Sequence, residues 1–375
     1  MEGIAILGAN SLVGQHLLLA LSSTNSSDKP INVWEYNDTP SFRIGGNNNL
    51  HSLNINTFTG IDALDAAIRG CEIVFNLHEL QDFSLIPAEN LLKQHNVNLV
   101  KTLVEKCAEH GVSKLVQLSS VFLQCSARWP NVNNRECEDY SKFRKEIPFP
   151  AYCDSKHEAE QIIQQGADTI QTICARIGPL YGEGDCSSLL CDSILLSEKL
   201  SQLPLIGDQN GVLQLTYAGN VAYALLKCAE KLTTDKTLRN EVVIICDHTP
   251  VRNIYDLMLK RLYEDCNRST NNRASTIISQ RAISFYLFFP IYYLISVFGH
   301  FLTKVLGINS RLKNIPSPYY LYLALHHWTF FSNFKLRLLF DFVPAFDFET
   351  SMERSLDYYQ QLTSDKITKF SWMPQ

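Results

Sequence analysis

Basic residues are in short supply. The chain has 33 Lys and Arg against 38 Asp and Glu, a formal net charge of −5. That deficit argues against nucleic acid as a main partner, because no cationic excess exists to neutralise phosphates. Paired cysteine spacing is missing as well: 11 cysteines are spread over 375 residues with no C-x-x-C among them. This excludes a disulfide scaffold and fits free thiols in a reducing compartment. There is no internal repeat, and no basic n-region of a signal peptide opens the chain. A mean hydropathy of −0.07 excludes a polytopic membrane protein. One local absence points the other way. Ala282 to Thr303, 22 consecutive residues, contain no Asp, Glu, Lys or Arg.

What is present has an alternating pattern. The runs Gly3–Leu7, Ile31–Glu35, Glu72–Leu77, Lys114–Ser119 and Asn240–Cys246 read as strands. The stretches Leu12–Leu21, Ala63–Arg69 and Asn90–His110 read as helices, the last closed by Gly111. Gly45 to Asn49 reads as a loop. Strands alternating with helices mean βαβ units on a parallel sheet. The expected fold is therefore α/β, a Rossmann-type doubly wound sheet over residues 1–246. Residues 247–375 form a smaller C-terminal substrate-binding and membrane-associated region, in which no further convincing strand is expected.

The turn Gly8-Ala9-Asn10-Ser11-Leu12-Val13-Gly14 joins the first strand to the first helix. Gly8 permits a tight turn, Gly14 a close approach of helix to sheet, and the helix N-terminus then faces a pyrophosphate. Ser11 stands at the middle position, where a third glycine is usual. Glu35 closes the second strand, where a carboxylate accepts hydrogen bonds from ribose hydroxyls and repels a 2′-phosphate. That selects NAD over NADP. Further along, Tyr152-Cys153-Asp154-Ser155-Lys156 puts a phenol and an ammonium on one helical face. The ammonium is expected to lower the phenol pKa and make Tyr152 a proton acceptor. Ser119 and Ser120 end a strand, and because adjacent strand residues face opposite sides, one of them at most reaches the substrate.

With these residues in place, the chain resembles the extended short-chain dehydrogenase/reductases, and within them the 3β-hydroxysteroid dehydrogenase/Δ5-4 isomerase family. The same resemblance runs through Ile73–Leu77, Asn96-Val97-Asn98, Ala175–Gly184 with its Tyr181-Gly182-Glu183-Gly184, Tyr217–Ala222 and Asp247–Pro250. It implies a catalytic set of Ser120, Tyr152 and Lys156. The cofactor-binding positions it implies, together with the turn, are Gly8, Asn10, Ser11, Leu12, Val13, Gly14, Glu35, Leu77, Asn96, Lys156 and Gly178. The implied reaction is NAD-dependent oxidation of a steroid or sterol 3β-hydroxyl, with Δ5-to-Δ4 isomerisation as a further activity for which the sequence names no acid/base. Asn76-Leu77-His78-Glu79 departs from the family's His-Leu-Ala-Ala, placing a charge and an imidazole where small residues border the cofactor.

The uncharged segment 282–303 can span a bilayer, lie in its interface, or cap a sterol pocket. A membrane role fits a lipid-soluble substrate, and implies the endoplasmic reticulum with the catalytic body on the cytosolic side. A homodimer is left open. No metal is expected, since His326-His327 has no ligand spacing. Competing readings are a sterol-4-carboxylate 3-dehydrogenase, a sugar-nucleotide epimerase and a non-catalytic NAD-binding regulatory module.

Overall fold

The computed structural model describes residues 3–23, 29–41, 44, 53–136, 140–142, 144–166, 170–208, 210–235, 237–264, 277–278, 282–305 and 317–362. The expected loop Gly45–Asn49 lies outside them. Seven strands form one parallel sheet in the order Glu241–Ile245, Gln171–Ile177, Lys114–Ser120, Cys71–Asn76, Gly3–Leu7, Ile31–Glu35 and Ile55–Thr59. The strand order reverses beside Gly3–Leu7, which opens a crevice at the carboxyl ends of the strands, where open α/β sheets bind ligands.

Alternation along the strands sorts the core. Ile4 and Ile6 point to one face and pack under helices Leu12–Ser23 and Ala218–Thr234, with Leu17, Leu21, Val221 and Leu225. Ala5 and Leu7 point to the other, against Leu103 of helix Leu99–Glu109 and Ile163 of helix Pro150–Gln165. Full burial of each such leucine, isoleucine or valine side chain contributes about 1.5–3 kcal/mol. The helix expected over 90–110 is built of Glu89–Leu92, a π-wound turn Lys93–Asn98, and Leu99–Glu109. Strand Ile55–Thr59 was not anticipated. It is a partly exposed edge strand, so no apolar run marks it.

The expectation of no further strand after Cys246 is corrected. Trp328–Phe331 is a strand, paired in parallel with Asn131–Asn134 on one side and Val212–Leu213 on the other. The late chain is thus stitched into the body beside the crevice. Helix Phe285–Lys304 runs through Pro290. Its inward stripe is Phe285, Ser296, Gly299 and His300, whereas Tyr286, Leu287, Ile291, Leu294 and Phe298 face out, Tyr286 being 74% and Leu294 66% exposed.

Candidate active site

The glycine turn has the geometry that its sequence requires. Gly8 sits at φ +82°, and a Cβ there would lie 2.6 Å from the His78 nitrogen. A Cβ on Gly14 would lie 2.5 Å from the Gly8 carbonyl oxygen and 2.7 Å from Ala9 Cα. These are backbone atoms that cannot step aside. Gly14→Ala is therefore expected to destabilise the fold by about 1–3 kcal/mol, as overpacking does. An unchanged thermal melt would refute the close approach.

Ser11 tolerates its place because its backbone is not left-handed and its side chain turns inward. Ser11 Oγ donates to the Gly8 carbonyl at 2.7 Å and accepts from the Gly14 N–H at 3.1 Å, capping the helix that starts at Leu12. Asn10 N–H donates to the Glu35 carboxylate, and Asn10 Oδ1 accepts from the Ser41 N–H at 2.7 Å. Glu35 is buried at the strand end and tied to the turn. The tight turn at the start of the helix Leu12–Ser23, with two glycines that keep side chains away from it, fits a dinucleotide pyrophosphate.

Tyr152 and Lys156 lie one turn apart on helix Pro150–Gln165, both buried. Pro150 opens this helix at its first turn, where its missing N–H costs nothing. Lys156 Nζ donates to the Leu118 carbonyl at 2.9 Å. The two serines separate as strand alternation requires. Ser119 Oγ donates to Glu160 at 2.6 Å, away from the crevice. Ser120 Oγ accepts from the Phe122 N–H at 3.2 Å and stands by the Tyr152 phenol, which it pulls toward ionisation.

One residue enters this group that was singled out only as a departure. Glu79 Oε2 accepts from Tyr152 Oη at 3.0 Å and pairs with Lys156 Nζ at 2.9 Å. Its other oxygen accepts from Gln81 Nε2 at 2.5 Å. The phenol pKa is consequently not lowered, as expected from Lys156 alone, but held well above its ordinary value, first by burial and then by the Glu79 charge. Burial pushes Glu79 up, but Lys156 outweighs it and holds the carboxylate below the usual range. A charge just beyond a buried apolar strand was the signal available in the sequence.

Asn96 lies in the π-wound turn and does not face the glycine turn. Its Oδ1 accepts from the Leu80 N–H at 2.8 Å, and its Nδ2 reaches the Leu80 carbonyl and Ser155 Oγ, each at 3.0 Å. It pins the segment carrying Glu79 to the helix of Tyr152. Leu77 continues the sheet through a bond to the Leu7 carbonyl at 2.8 Å. Gly178 follows the strand Gln171–Ile177 next to Val121. His78 and His95 pair at 3.1 Å, and His78 stacks on Tyr36. Beside Tyr152 opens a cavity of about 620 Å³, lined among others by Ile147, Phe149, Tyr319, Arg128 and Lys145. Among the described residues no three or more His, Cys, Asp or Glu gather as a metal site.

A doubly wound sheet with a glycine turn, an acidic strand end and a Ser-Tyr-Lys group at the crevice defines an NAD-dependent oxidoreductase of the extended short-chain type. The family model described as the 3-beta hydroxysteroid dehydrogenase/isomerase family matches residues 5–275, and the chain belongs to that family. The decarboxylating sterol-4-alpha-carboxylate 3-dehydrogenase of Saccharomyces cerevisiae is 27% identical over 263 residues, 67% of this chain and 72% of that protein. The enzyme of that name from Mus musculus is 22% identical over 369 residues, 96% of this chain and 92% of the mouse protein. Among solved structures, a UDP-glucuronic acid 4-epimerase from Bacillus cereus, in complex with UDP-glucuronic acid and NAD, superposes with TM-score 0.64. It is 16% identical and covers 96% of this chain and 100% of its own. A dTDP-glucose 4,6-dehydratase from Bacillus anthracis, in complex with NAD, gives TM-score 0.64 at 15% identity, covering 96% of this chain and 97% of its own. These two share the fold.

Proposed function

We propose that the protein oxidises the 3β-hydroxyl of a steroid or sterol with NAD at a membrane surface. The observation that carries this reading is the convergence of Ser120, Tyr152 and Lys156 at the crevice mouth, next to the 620 Å³ cavity. The turn Gly8–Gly14 and Glu35 would hold the dinucleotide, with Leu77 and Gly178 beneath it and Asn96 fixing the adjoining segment. Bound there, NAD supplies the hydride acceptor. Ser120 holds the substrate hydroxyl oxygen by a hydrogen bond. Tyr152 takes the hydroxyl proton at Oη, and Lys156, anchored on the Leu118 carbonyl, favours the phenolate that does so.

A second reading is the sterol-4-carboxylate substrate, for which the cavity wall offers Arg128 and Lys145 beside the acids Asp82 and Glu146. Its acids are already engaged: Asp82 accepts from the Ser84 and Ala88 N–H groups, and Glu146 from Ser126 Oγ. Those bonds orient the two carboxylates without removing their charge, so a ligand carboxylate would have to reach Arg128 or Lys145 directly. The relatives from Saccharomyces cerevisiae and Mus musculus bear that substrate in their names.

The experiment is incubation of the full chain in detergent with NAD and a panel of 3β-hydroxysteroids, 4-carboxysterols and UDP-sugars. NADH formation from a sterol is expected. Turnover confined to carboxysterols, with loss of CO2, selects the second reading, and a conjugated enone product would establish isomerisation. NADH from no sterol overturns the proposal.

The outward face of helix Phe285–Lys304 supports attachment to a membrane, and the sterol substrates in the relatives' names fit the endoplasmic reticulum, with the catalytic body on the cytosolic side, as the site of it. Phe285–Leu302 has a mean hydropathy of 1.6 and is only 22% buried. Apart from Phe285 at its start, the buried positions of the helix are Ser296, Gly299 and His300, whereas Leu287, Ile291, Leu294 and Phe298 face outward, the reverse of a soluble helix. It also lies along the body, with Phe285 stacked on His326 at 4.5 Å, which suits an interfacial helix better than a free span. Replacing Leu287, Leu294 and Phe298 with Ser should shift the protein from the membrane pellet to the supernatant by about tenfold or more, since each buried apolar side chain contributes about 1.5–3 kcal/mol. Retention of the triple variant in a carbonate-washed pellet would refute interfacial insertion.

A further inference from the structure

Glu79 is the charged group in the crevice for which the reaction above has no use. It sits at a critical point in the path. The segment Leu77–Glu79 follows strand Cys71–Asn76, and its His78 backbone presses against Gly8 at the nucleotide turn. One residue on, Glu79 reaches Tyr152 and Lys156. A dinucleotide lying from the turn to the Tyr-Lys pair must therefore pass this carboxylate. The donors at the far end are already committed. Tyr152 has one hydroxyl proton, and it goes to Glu79 Oε2 at 3.0 Å. Lys156 has three N–H donors; one goes to Leu118 O and one to the same Oε2.

We propose that Glu79 is a built-in competitor for the dinucleotide, occupying with its carboxylate the Tyr152 and Lys156 donors that the vicinal hydroxyls of a ribose would take. It thereby sets cofactor affinity in the reaction proposed above, on which this inference rests. The alternative role, a relay accepting the Tyr152 proton, is opposed by the charges around the pair. Lys156 keeps Glu79 ionised while the phenol keeps its proton, and the nearby His78 and His95 are both held toward their neutral forms by burial. The backbone cannot withdraw Glu79, because Asn96 clamps both the N–H and the carbonyl of Leu80. Rotation of the Glu79 side chain, away from Lys156 and with its Gln81 partner, is the motion available.

The test is isothermal titration of the full chain in detergent with NAD, and separately with ADP, which has no second ribose. Wild type is compared with Glu79→Gln, which keeps the shape and an acceptor oxygen without the charge, and with Glu79→Asp, which retracts the carboxylate by one methylene. Both variants should bind NAD about tenfold or more tightly than wild type, a shift of about 1.4 kcal/mol, with ADP affinity unchanged. Folded variants, judged by circular dichroism and melting temperature, that bind NAD no more tightly than wild type overturn the inference while leaving the NAD reading intact. An equal gain for ADP also overturns it, since the effect would then lie at the glycine turn. No NAD binding by any of the three proteins overturns the cofactor reading and the inference together.

Discussion

Tyr152→Phe is expected to lower sterol oxidation by about 10²- to 10⁴-fold, the usual contribution of a positioned acid/base, without loss of folding. Phenylalanine keeps the ring and its edge contact with Phe83, 5.0 Å between centroids. It removes only the hydroxyl, whose partner Glu79 retains Lys156. A melting temperature close to wild type, together with retained NAD binding, separates chemistry from structure. If kcat/KM with saturating NAD falls less than tenfold, Tyr152 is not the proton acceptor. The pH profile carries the same claim with a definite sign. The phenolate is the working form, and burial, followed by the Glu79 charge, raises the phenol pKa. Turnover should therefore rise with pH from neutrality into the alkaline range rather than level off near neutrality. At subsaturating NAD, where Glu79 still faces Tyr152, Glu79→Gln removes one of the raising causes and should move that limb to lower pH. Tyr152→Phe should abolish it.

The parts of this site that could be read in the sequence are those fixed by local sterics. Gly8 and Gly14 are demanded by backbone atoms within a few residues or one strand away, so their spacing is informative by itself. Tyr152 and Lys156 share a helix face because helical periodicity puts them there. The choice between Ser119 and Ser120 was half legible. Alternation said that one of them faces the site, but which one is decided by Glu160, 41 residues further on. The Glu79 contact was illegible for the same reason. Its character was visible at the end of a strand, whereas its partners sit 73 residues away on another element. Without them, Lys156 alone gave the wrong direction for the Tyr152 pKa. Strand Trp328–Phe331 was missed because Trp-Thr-Phe-Phe is too short and too uniformly apolar for a period to show. Its pairing with Asn131–Asn134 spans nearly two hundred residues. Composition exposed the uncharged helix at once, but a segment without charge, with few polar residues such as Ser296 and His300 among aromatics, did not say which face turns outward.

The second large effect is expected beneath the site, at Arg176 and Glu160. Arg176 Nε and Nη2 donate to the two oxygens of Glu160 at 2.9 and 2.7 Å, and Nη1 donates to Gln124 Oε1 at 2.9 Å. Ser119 adds a bond to the same carboxylate, and both ionic side chains are under 5% exposed. Removing one partner strands the other charge in the interior, which costs about 3–5 kcal/mol, a large share of the roughly 5–15 kcal/mol that holds a domain together. Arg176→Ala and Glu160→Ala should each lower the melting temperature by about 4–6 °C, measured by calorimetry on the detergent-solubilised chain. Replacing both with Met should cost less than either single truncation, because no charge is then left unpaired. The pair also ties the catalytic elements together. Arg176 lies opposite Ser119 in the sheet register, next to Ser120, and Glu160 lies one helical turn beyond Lys156. The double Met variant, folded but without this tie, is therefore expected to lose turnover more than it loses stability. Turnover equal to wild type in a folded double variant would mean that packing alone sets the Ser120–Tyr152 geometry, and that the ion pair serves stability only.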